Sequence, residues 1–284
     1  MNDLLFPMHG KHVLITGATR GLGLRLAERL AEAGAVLLLH GRDPERLDAA
    51  ADRIERERPG AEIHRFLADL SDLDQVAALA KSVADRAPRL DVLVNNAVVG
   101  GGSDTARREV SAQGHELRLA VNHLAPLLLA RSLGRLLAAS APSRVVNVAS
   151  LGQAPLDFDD VMLEREYEGV RAYCQSKLAM IMSTIDMAER FEPQGVSVNA
   201  IHPAHLMDTE IVRQSGFTPL AGVDEGAEPT LRLIGDPALQ EVTGRYFEQS
   251  QPTKAHDQAY DPEARAQLAA VSERLIAPYA PGDG

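Results

Sequence analysis

The chain has 284 residues, of which 45% are hydrophobic and 24% are charged, a composition typical of a folded globular protein. Its formal net charge of −11 comes from 40 acidic and 29 basic residues without a long basic run, which argues against nucleic acid and anionic membrane as partners. The single cysteine, Cys174, excludes an internal disulfide framework and a cysteine-based zinc cluster, and it indicates a reducing compartment.

Apolar runs that fit strands alternate with amphipathic runs that fit helices along most of the chain. Strands are predicted at residues 12–16, 35–40, 63–67, 91–95, 144–149, 196–201 and 246–247. Helices are predicted at residues 22–33, 44–58, 73–87, 113–139, 173–191, 226–234 and 262–276, and Ser71 is predicted to cap the third. This alternation predicts an α/β fold with a doubly wound parallel sheet, right-handed crossovers and helices on both faces.

No repeat or linker divides the sequence, so we expect a single domain over residues 1–284 with a disordered tail at 278–284. An irregular acidic insertion occupies residues 152–169. No apolar run approaches the roughly 20 residues that a membrane span needs, and residues 1–3 lack the basic start of a signal peptide. We therefore expect a cytoplasmic protein without a membrane partner.

A glycine-rich turn joins the first predicted strand to the first predicted helix, where residues 16–23 are Thr-Gly-Ala-Thr-Arg-Gly-Leu-Gly. Gly17 permits the turn, and Gly21 lets a pyrophosphate approach backbone N–H groups at the helix N-terminus. Gly23 allows the helix to lie close to the sheet. Such a turn could simply need small residues, but its place directly after the first strand favours nucleotide binding.

Tyr173 and Lys177 are four residues apart at the start of an apolar, helix-like run, so a helix would place them on one face. A positive charge near a phenol favours the phenolate, and would lower the pKa of Tyr173 from about 10 toward neutral pH. That change would make Tyr173 a usable acid and base. The alternative is an exposed tyrosine beside a solvated lysine.

Together these motifs resemble the short-chain dehydrogenase/reductase family over about residues 10–247. The resemblance is carried, in order, by Thr16-Gly-x-x-x-Gly-x-Gly, Asp69-Leu70, Asn95-Asn96-Ala97, Asn122, Ser150 and Tyr173-x-x-x-Lys177. Residues 143–150, the insertion with Asp157-Phe158-Asp159-Asp160, and residues 171–178 are most similar to the retinol-dehydrogenase-like subgroup. Members of that subgroup are often membrane-anchored, whereas we expect this chain to lack the anchor.

The resemblance implies a Rossmann-like domain with a cofactor-binding and catalytic core at residues 10–202 and a substrate loop at 203–225. It implies that Ser150 holds the substrate oxygen, that Tyr173 transfers the proton, and that Lys177 binds the nicotinamide ribose while lowering the tyrosine pKa. Asn122 is implied to anchor a chain of waters. The cofactor contacts that we expect besides Tyr173 and Lys177 are Thr16, Gly17, Thr19, Arg20, Gly21, Leu22, Gly23, Arg42, Asp69, Leu70, Asn95, Asn96, Ala97, Pro203 and Thr209.

The end of the second strand favours NADP(H) over NAD(H). Enzymes that use NAD usually carry an acid there, which accepts hydrogen bonds from the ribose 2′-OH and would repel a 2′-phosphate. This chain has Gly41 followed by Arg42, and Arg20 in the glycine turn faces the same place. Two guanidinium groups suit a phosphate, although both could be solvated surface arginines.

Substrate contacts are expected from Gln153, His205 and Met207, near apolar residues of the insertion and of the substrate loop. These indicate a bulky apolar ketone, aldehyde or secondary alcohol, such as a polyketide-like or terpenoid intermediate. Two departures from the family pattern, Val98 and Ala204, remove no reacting group. The histidines lack ligand spacing, so no metal site is predicted.

The sequence thus predicts an NADP(H)-dependent oxidoreductase that reduces a carbonyl, or oxidises a secondary alcohol, with Tyr173 as general acid and base. Two alternatives remain open: reduction coupled to dehydration or epimerisation at the same site, and a nucleotide-binding regulator without turnover. A homodimer and a homotetramer are both compatible with the sequence.

Overall fold

Seven parallel strands and one antiparallel strand form a single sheet in the computed structural model, which describes residues 6–280. The strands are β1 (His12–Ile15), β2 (Val36–Gly41), β3 (Ile63–Leu67), β4 (Val92–Asn95), β5 (Ser143–Val148), β6 (Val196–His202), β7 (Tyr246–Glu248) and β8 (Gln251–Thr253). Their order in the sheet is β3-β2-β1-β4-β5-β6-β7-β8. The order reverses between β1 and β4, which is where such sheets bind ligands at the carboxyl ends of their strands.

The helices lie between the strands along the chain. They are α1 (Gly21–Glu32), α2 (Pro44–Glu57), α3 (Leu73–Arg86), α4 (Leu117–Leu119), α5 (Ala125–Ser132), α6 (Gly134–Ala139), α7 (Gly169–Phe191), α8 (Glu210–Gln214), α9 (Val223–Gly235) and α10 (Pro262–Ile276). A π-helical segment, Ala120–Leu124, connects α4 to α5. Among residues 6–280, no helix combines the length and the apolar character that crossing a bilayer requires.

Each face of the sheet carries its own apolar core. One core contains side chains from α3, α5, α7 and α10, such as Leu79, Leu128 and Leu178. The other contains side chains from α1, α2 and α9, such as Leu26 and Leu231. Because both faces are covered, the central strands are buried, as continuous apolar runs predict. The predicted doubly wound α/β fold is confirmed.

Local signals fix most helix starts. Asp43 accepts a hydrogen bond from the backbone N–H of Arg46 and precedes Pro44, so α2 begins where a capping acid meets a proline. The predicted cap of α3 was wrong by one residue. Asp72, rather than Ser71, is the N-cap, and its carboxylate accepts from the N–H of Asp74.

The single long helix predicted at residues 113–139 is wrong. Val110 and Glu116 form an isolated β-bridge, Gly114 has a φ of +80°, and regular helix begins only at α4. The π-helical segment then shifts the register before α5. Residues 119–130 are almost entirely buried, so their apolar pattern contains no polar face that could reveal the breaks.

The C-terminal region extends the sheet and then covers one core. Strand β8 was not predicted, and it pairs antiparallel with β7. Residues 278–280, predicted as part of a disordered tail, form a turn in which the N–H groups of Tyr279 and Ala280 donate to the carbonyl of Ile276. The remainder of the predicted tail, residues 281–284, lies outside the described residues, as do residues 1–5.

Candidate active site

The glycine turn between β1 and α1 has no room for side chains. A Cβ on Gly23 would lie 2.3 Å from the carbonyl oxygen of Gly17 and 2.5 Å from Nδ2 of Asn96. Gly17 and Gly21 have φ angles of +66° and +52°, which favour glycine. Leu22 is buried in the core below, so the turn presents its backbone to the edge of the sheet. This cradle fits a pyrophosphate at the N-terminus of α1.

Residues after β4 hold this turn in place. Nδ2 of Asn96 donates to the carbonyl oxygens of Thr16 and Gly17, at 2.8 and 3.1 Å. Oγ1 of Thr16 accepts from the N–H groups of Asn96 and Ala97, each at 3.0 Å. The three residues therefore support the turn rather than pointing freely into the site.

Asn95, which the sequence predicted as a cofactor contact, has its side chain in the core of the sheet. Its side chain is buried and donates to Oδ1 of Asn147 at 2.8 Å, and Asn147 donates in turn to Oγ1 of Thr184 at 2.8 Å. These bonds connect β4, β5 and α7 inside the core. Adjacent residues in a strand point to opposite faces, so Asn95 and Asn96 serve different sides of the sheet.

His40 is a second support of the glycine turn, and sequence reasoning missed it. The N–H of Gly17 donates to Nδ1 of His40 at 3.2 Å, which leaves Nε2 to donate to the carbonyl oxygen of Ala68 at 3.1 Å. Burial lowers the pKa of His40 to about 4, so the ring is neutral. A neutral imidazole can accept at Nδ1 and donate at Nε2. The available signal was a polar residue at the end of the buried run 35–40.

Three arginines lie near one another beside the turn. Burial lowers the pKa of Arg20, and the positive charges of Arg46 and Arg42 lower it further. Arg42 is exposed. Like charges gathered at one place suit a phosphate. Arg20 also donates to the carboxylate of Glu210 on α8, a partner that the sequence did not predict.

Gly41 leaves the end of β2 without a carboxylate. A Cβ there would lie 2.6 Å from the methyl carbon of Thr19, so the turn itself occupies the space that an acidic side chain would use. With the arginines nearby, this edge of the sheet carries positive charge at the place where NAD-dependent enzymes usually carry an acid.

Asp69 and Leu70 follow β3, at the same edge of the sheet. Oδ1 of Asp69 accepts from the N–H of Ser71 at 2.9 Å and from its hydroxyl at 2.8 Å. Leu70 is buried in the core. The carboxylate thus shapes the turn into α3, and only its remaining oxygen is available for an adenine edge.

Ser150, Tyr173 and Lys177 meet at the carboxyl end of β5. The hydroxyl of Tyr173 is hydrogen-bonded to the side chain of Ser150, whose Oγ also accepts from the N–H of Gly152 at 3.1 Å. Nζ of Lys177 lies 5.9 Å from the centroid of the tyrosine ring and donates to the carbonyl oxygen of Val148 at 2.7 Å. Helical spacing places Tyr173 beside Lys177 on α7, and the end of β5 brings Ser150 to them.

The predicted fall in the pKa of Tyr173 is wrong in this structure. Burial raises the pKa of Tyr173, and the hydrogen bond from Ser150 opposes that rise only in part. Lys177 is 1% exposed, and burial lowers its own pKa to about 7. A lysine that is only partly charged at neutral pH, and bonded to Val148, cannot outweigh the desolvation of the phenol.

Asn122 lies in the π-helical segment and is fully buried. Its Oδ1 accepts from the N–H of Val99 at 2.8 Å, and its Nδ2 donates to the carbonyl of Val99 at 2.9 Å and to Oγ of Ser176 at 2.9 Å. The residue thereby joins the loop after β4 to α7, on the turn that carries Tyr173.

Residues expected to contact substrate are mostly engaged elsewhere. Nε2 of Gln153 donates to the carbonyl oxygen of Ser150 at 3.1 Å, and its Oε1 accepts from the N–H of His256 at 2.7 Å. Met207, expected at the substrate, and Pro203, expected at the cofactor, pack against Gly226 of α9, where a Cβ would lie 2.2 Å from Sδ of Met207 and 3.4 Å from Cβ of Pro203.

Two other residues of the loop after β6 were also expected contacts. His205 is exposed, with its ring centroid 6.2 Å from that of His202. The methyl carbon of Thr209 lies 3.3 Å from the position of a Cβ on Gly21, so Thr209 stands over the glycine turn as a cofactor contact would.

Arg118 is a further support that the sequence did not indicate. It is 1% exposed, and it donates to the carbonyl oxygens of Gly100 and Gly101 at 3.0 and 3.3 Å. Glu109 pairs with it at 3.2 Å. The arginine fixes the glycine-rich loop after β4, and the signal for it was one charged residue within an apolar run.

His123 is one of the histidines for which the sequence predicted no metal-binding role. His123 is buried, its Nε2 lies 2.7 Å from Oγ of Ser272 on α10, and burial lowers its pKa to about 4. Within residues 6–280, no three His, Cys, Asp or Glu side chains are grouped so that they could hold a metal ion.

Known proteins match this chain along its length. The family model described as short chain dehydrogenase matches residues 11–218. Human retinol dehydrogenase 13 is 34% identical over 290 residues, covering 96% of this chain and 86% of the relative. A crystal structure of an uncharacterised protein from Mycobacterium paratuberculosis is 26% identical with a TM-score of 0.77, covering 96% of both chains. A gluconate 5-dehydrogenase from Burkholderia cenocepacia, solved with NADP and tartrate, is 25% identical with a TM-score of 0.69, covering 86% of this chain and 95% of that one.

Proposed function

The chain belongs to the short-chain dehydrogenase family and resembles its retinol dehydrogenases, and from that premise we propose that it is an NADP(H)-dependent carbonyl reductase, reversible as an alcohol dehydrogenase. The observation that carries the proposal is the hydrogen bond between Tyr173 and Ser150, with Lys177 on the same helix face. Family membership supports an oxidoreductase, and these three residues supply the groups that proton transfer to a carbonyl oxygen needs.

Tyr173 is proposed as the proton donor in reduction. A carbonyl oxygen that replaces part of the bond between Tyr173 and Ser150 would accept from both hydroxyl groups, so the serine orients it and the tyrosine protonates it. A nicotinamide cofactor, when bound, supplies the hydride to the carbonyl carbon. Because burial raises the pKa of Tyr173, the phenol is protonated at neutral pH and is ready for reduction. Alcohol oxidation needs the phenolate, so we expect that direction to be favoured by higher pH.

Lys177 and Asn122 are proposed to support this pair. The ammonium of Lys177 would bind ribose hydroxyls of the cofactor and stabilise a phenolate at Tyr173 through its charge. Its bond to the carbonyl of Val148 keeps Nζ at the end of β5. Asn122 fixes Val99 and the start of α7, and is proposed to anchor the water that returns a proton to the site.

The proposed preference for NADP(H) rests on charge. Arg20, Arg42 and Arg46 share one region beside the glycine turn, and Gly41 replaces the acid that NAD-dependent enzymes carry. The Burkholderia neighbour was solved with NADP, which is compatible with this preference.

An apolar substrate is proposed from exposed apolar side chains beside Ser150 and in the loop after β6. Leu151 directly follows Ser150 and is 45% exposed, and Phe217 and Leu220 in the loop after β6 are 51% and 68% exposed. Large apolar side chains that face solvent next to a site favour a lipophilic ligand. Since human relatives are named retinol dehydrogenases, an extended terpenoid alcohol or aldehyde is the class to test first.

The test combines binding with turnover. NADPH and NADH are titrated by fluorescence, and a panel of apolar aldehydes and ketones, including a retinoid, is then screened for NADPH consumption with mass analysis of products. We expect tighter binding of NADPH and formation of the corresponding alcohol. Tight binding without turnover across the panel would support a nucleotide-binding regulator instead. A product that has also lost water or changed configuration would indicate coupled dehydration or epimerisation.

A further inference from the structure

Tyr246 begins β7, four strands along the sheet from β1, and its side chain points back to the candidate active site. Strand β7 pairs in parallel with β6, and Tyr246 is 4% exposed. Its hydroxyl donates to the main-chain oxygen of Ser150 at 3.0 Å. The two residues are 96 positions apart in the chain, so only the strand order brings them together.

The same oxygen has a second donor. Nε2 of Gln153 donates to the carbonyl of Ser150 at 3.1 Å, and the Gln153 side chain is also hydrogen-bonded to Tyr246. Oε1 of Gln153 accepts from the N–H of His256 at 2.7 Å. Residues after β7 therefore hold the start of the insertion, and both donors converge on one peptide oxygen.

This peptide is the one that sets the direction of the Ser150 side chain. On its N-terminal side, the N–H of Ala149 donates to the carbonyl of Ile201 at 2.8 Å, which fixes the strand. On its C-terminal side, Tyr246 fixes the carbonyl. With the backbone held on both sides, Oγ of Ser150 remains on the hydroxyl of Tyr173.

We propose that Tyr246 is a positioning residue that holds the Ser150 peptide, so that the serine hydroxyl stays bonded to the hydroxyl of Tyr173. The inference rests on the proposed function, because it assigns Ser150 and Tyr173 to the substrate oxygen. Tyr246 itself transfers no proton to substrate, since its hydroxyl is occupied by a main-chain oxygen. Its contribution is the orientation of a neighbour, which enzymes need to within fractions of an ångström.

The test is Tyr246→Phe, with Tyr260→Phe as a matched control. The hydroxyl of Tyr260 accepts from the N–H of Ala255 at 3.0 Å in the same C-terminal region, where it supports local structure. Both changes remove one hydroxyl group and keep the ring. For Tyr246→Phe we expect kcat to fall about fivefold or more while the Kd for NADPH stays within about twofold, because one hydrogen bond that orients the site is lost. Tyr260→Phe should leave both values unchanged.

A pH profile separates positioning from general damage. The bond from Ser150 lowers the pKa of Tyr173, so a loosened serine should raise it. For Tyr246→Phe, the rise of kcat with pH in alcohol oxidation should therefore move to higher pH, and for Tyr260→Phe it should not. If Tyr246→Phe fails to fold by circular dichroism, Gln153→Met removes the other donor to the same oxygen and carries the same test.

One result would overturn the positioning role of Tyr246, and a different result would overturn the proposed function on which it rests. If Tyr246→Phe has the kcat and the pH profile of the wild type while Tyr173→Phe is inactive, the positioning role is refuted and the proposed function stands. If Tyr173→Phe retains turnover, the proposed function fails first. A folded Tyr246→Phe with reduced kcat, intact NADPH binding and a shifted profile supports the inference.

Discussion

Replacing Lys177 by methionine should change how the stability of the cofactor-free protein depends on pH. Lys177 is 1% exposed, and burial lowers its pKa to about 7 from an ordinary value of 10.5. At pH values between about 7 and 10.5, Lys177 of the unfolded chain binds a proton that Lys177 of the folded protein does not. Stability must therefore rise as the pH increases through this window, and it is lowest where the buried ammonium is charged.

The magnitude follows from the two pKa values. Raising the pH from 7 to 9 should add roughly 2 kcal/mol to the free energy of unfolding through this one group. Lys177→Met keeps a side chain of similar length, loses the bond to the carbonyl of Val148 and does not titrate. The difference in stability between wild type and variant should thus move by about 2 kcal/mol in favour of the wild type over this range.

Urea denaturation at pH 7, 8 and 9 measures this difference. Lys81→Met is the matched control, because Lys81 is 77% exposed and only pairs with Asp85 on the surface. Its stability difference from wild type should stay nearly constant. The buried tyrosines, whose pKa values are raised, are shared by all three proteins and cancel in the comparison. A Lys177→Met difference that is independent of pH would show that folding does not lower the pKa of Lys177, and would refute the reasoning.

Two further predictions concern cofactor binding. Arg42→Ala should weaken NADPH binding about tenfold or more and NADH binding little, because it removes a charge from the proposed 2′-phosphate site; equal losses in fluorescence titrations would contradict that assignment. Gly23→Ala should abolish binding of both cofactors, since its Cβ would lie 2.3 Å from the carbonyl of Gly17. Wild-type affinity in a folded Gly23→Ala protein would show that the turn is not the pyrophosphate site.

The alternation of apolar and amphipathic runs was enough to predict the fold. The seven parallel strands and the terminal helix Pro262–Ile276 lie close to where the sequence placed them, because most of these strands are continuous apolar runs. The short elements were missed. Strand β8 is fully exposed and has three residues, and α8 has five, so neither carries a periodic signal.

For the site, the sequence indicated which residues share an element but not their surroundings. Spacing along one helix placed Tyr173 beside Lys177, and it could not show that both are desolvated, which reverses the expected direction of the tyrosine pKa. Supports such as His40, Arg118 and Tyr246 act across the sheet on distant segments. Their contacts depend on strand order and register, which no local pattern encodes.

The most direct measurement is NADPH binding and turnover in Tyr173→Phe, using a carbonyl substrate found in the screen. The variant retains the ring and loses only the hydroxyl that bonds to Ser150. We predict that the Kd for NADPH stays within about twofold of wild type while kcat falls by at least about 100-fold, the usual contribution of a positioned acid. A Tyr173→Phe protein that binds NADPH and turns over at a rate near that of the wild type would contradict the assignment of Tyr173 as the proton donor.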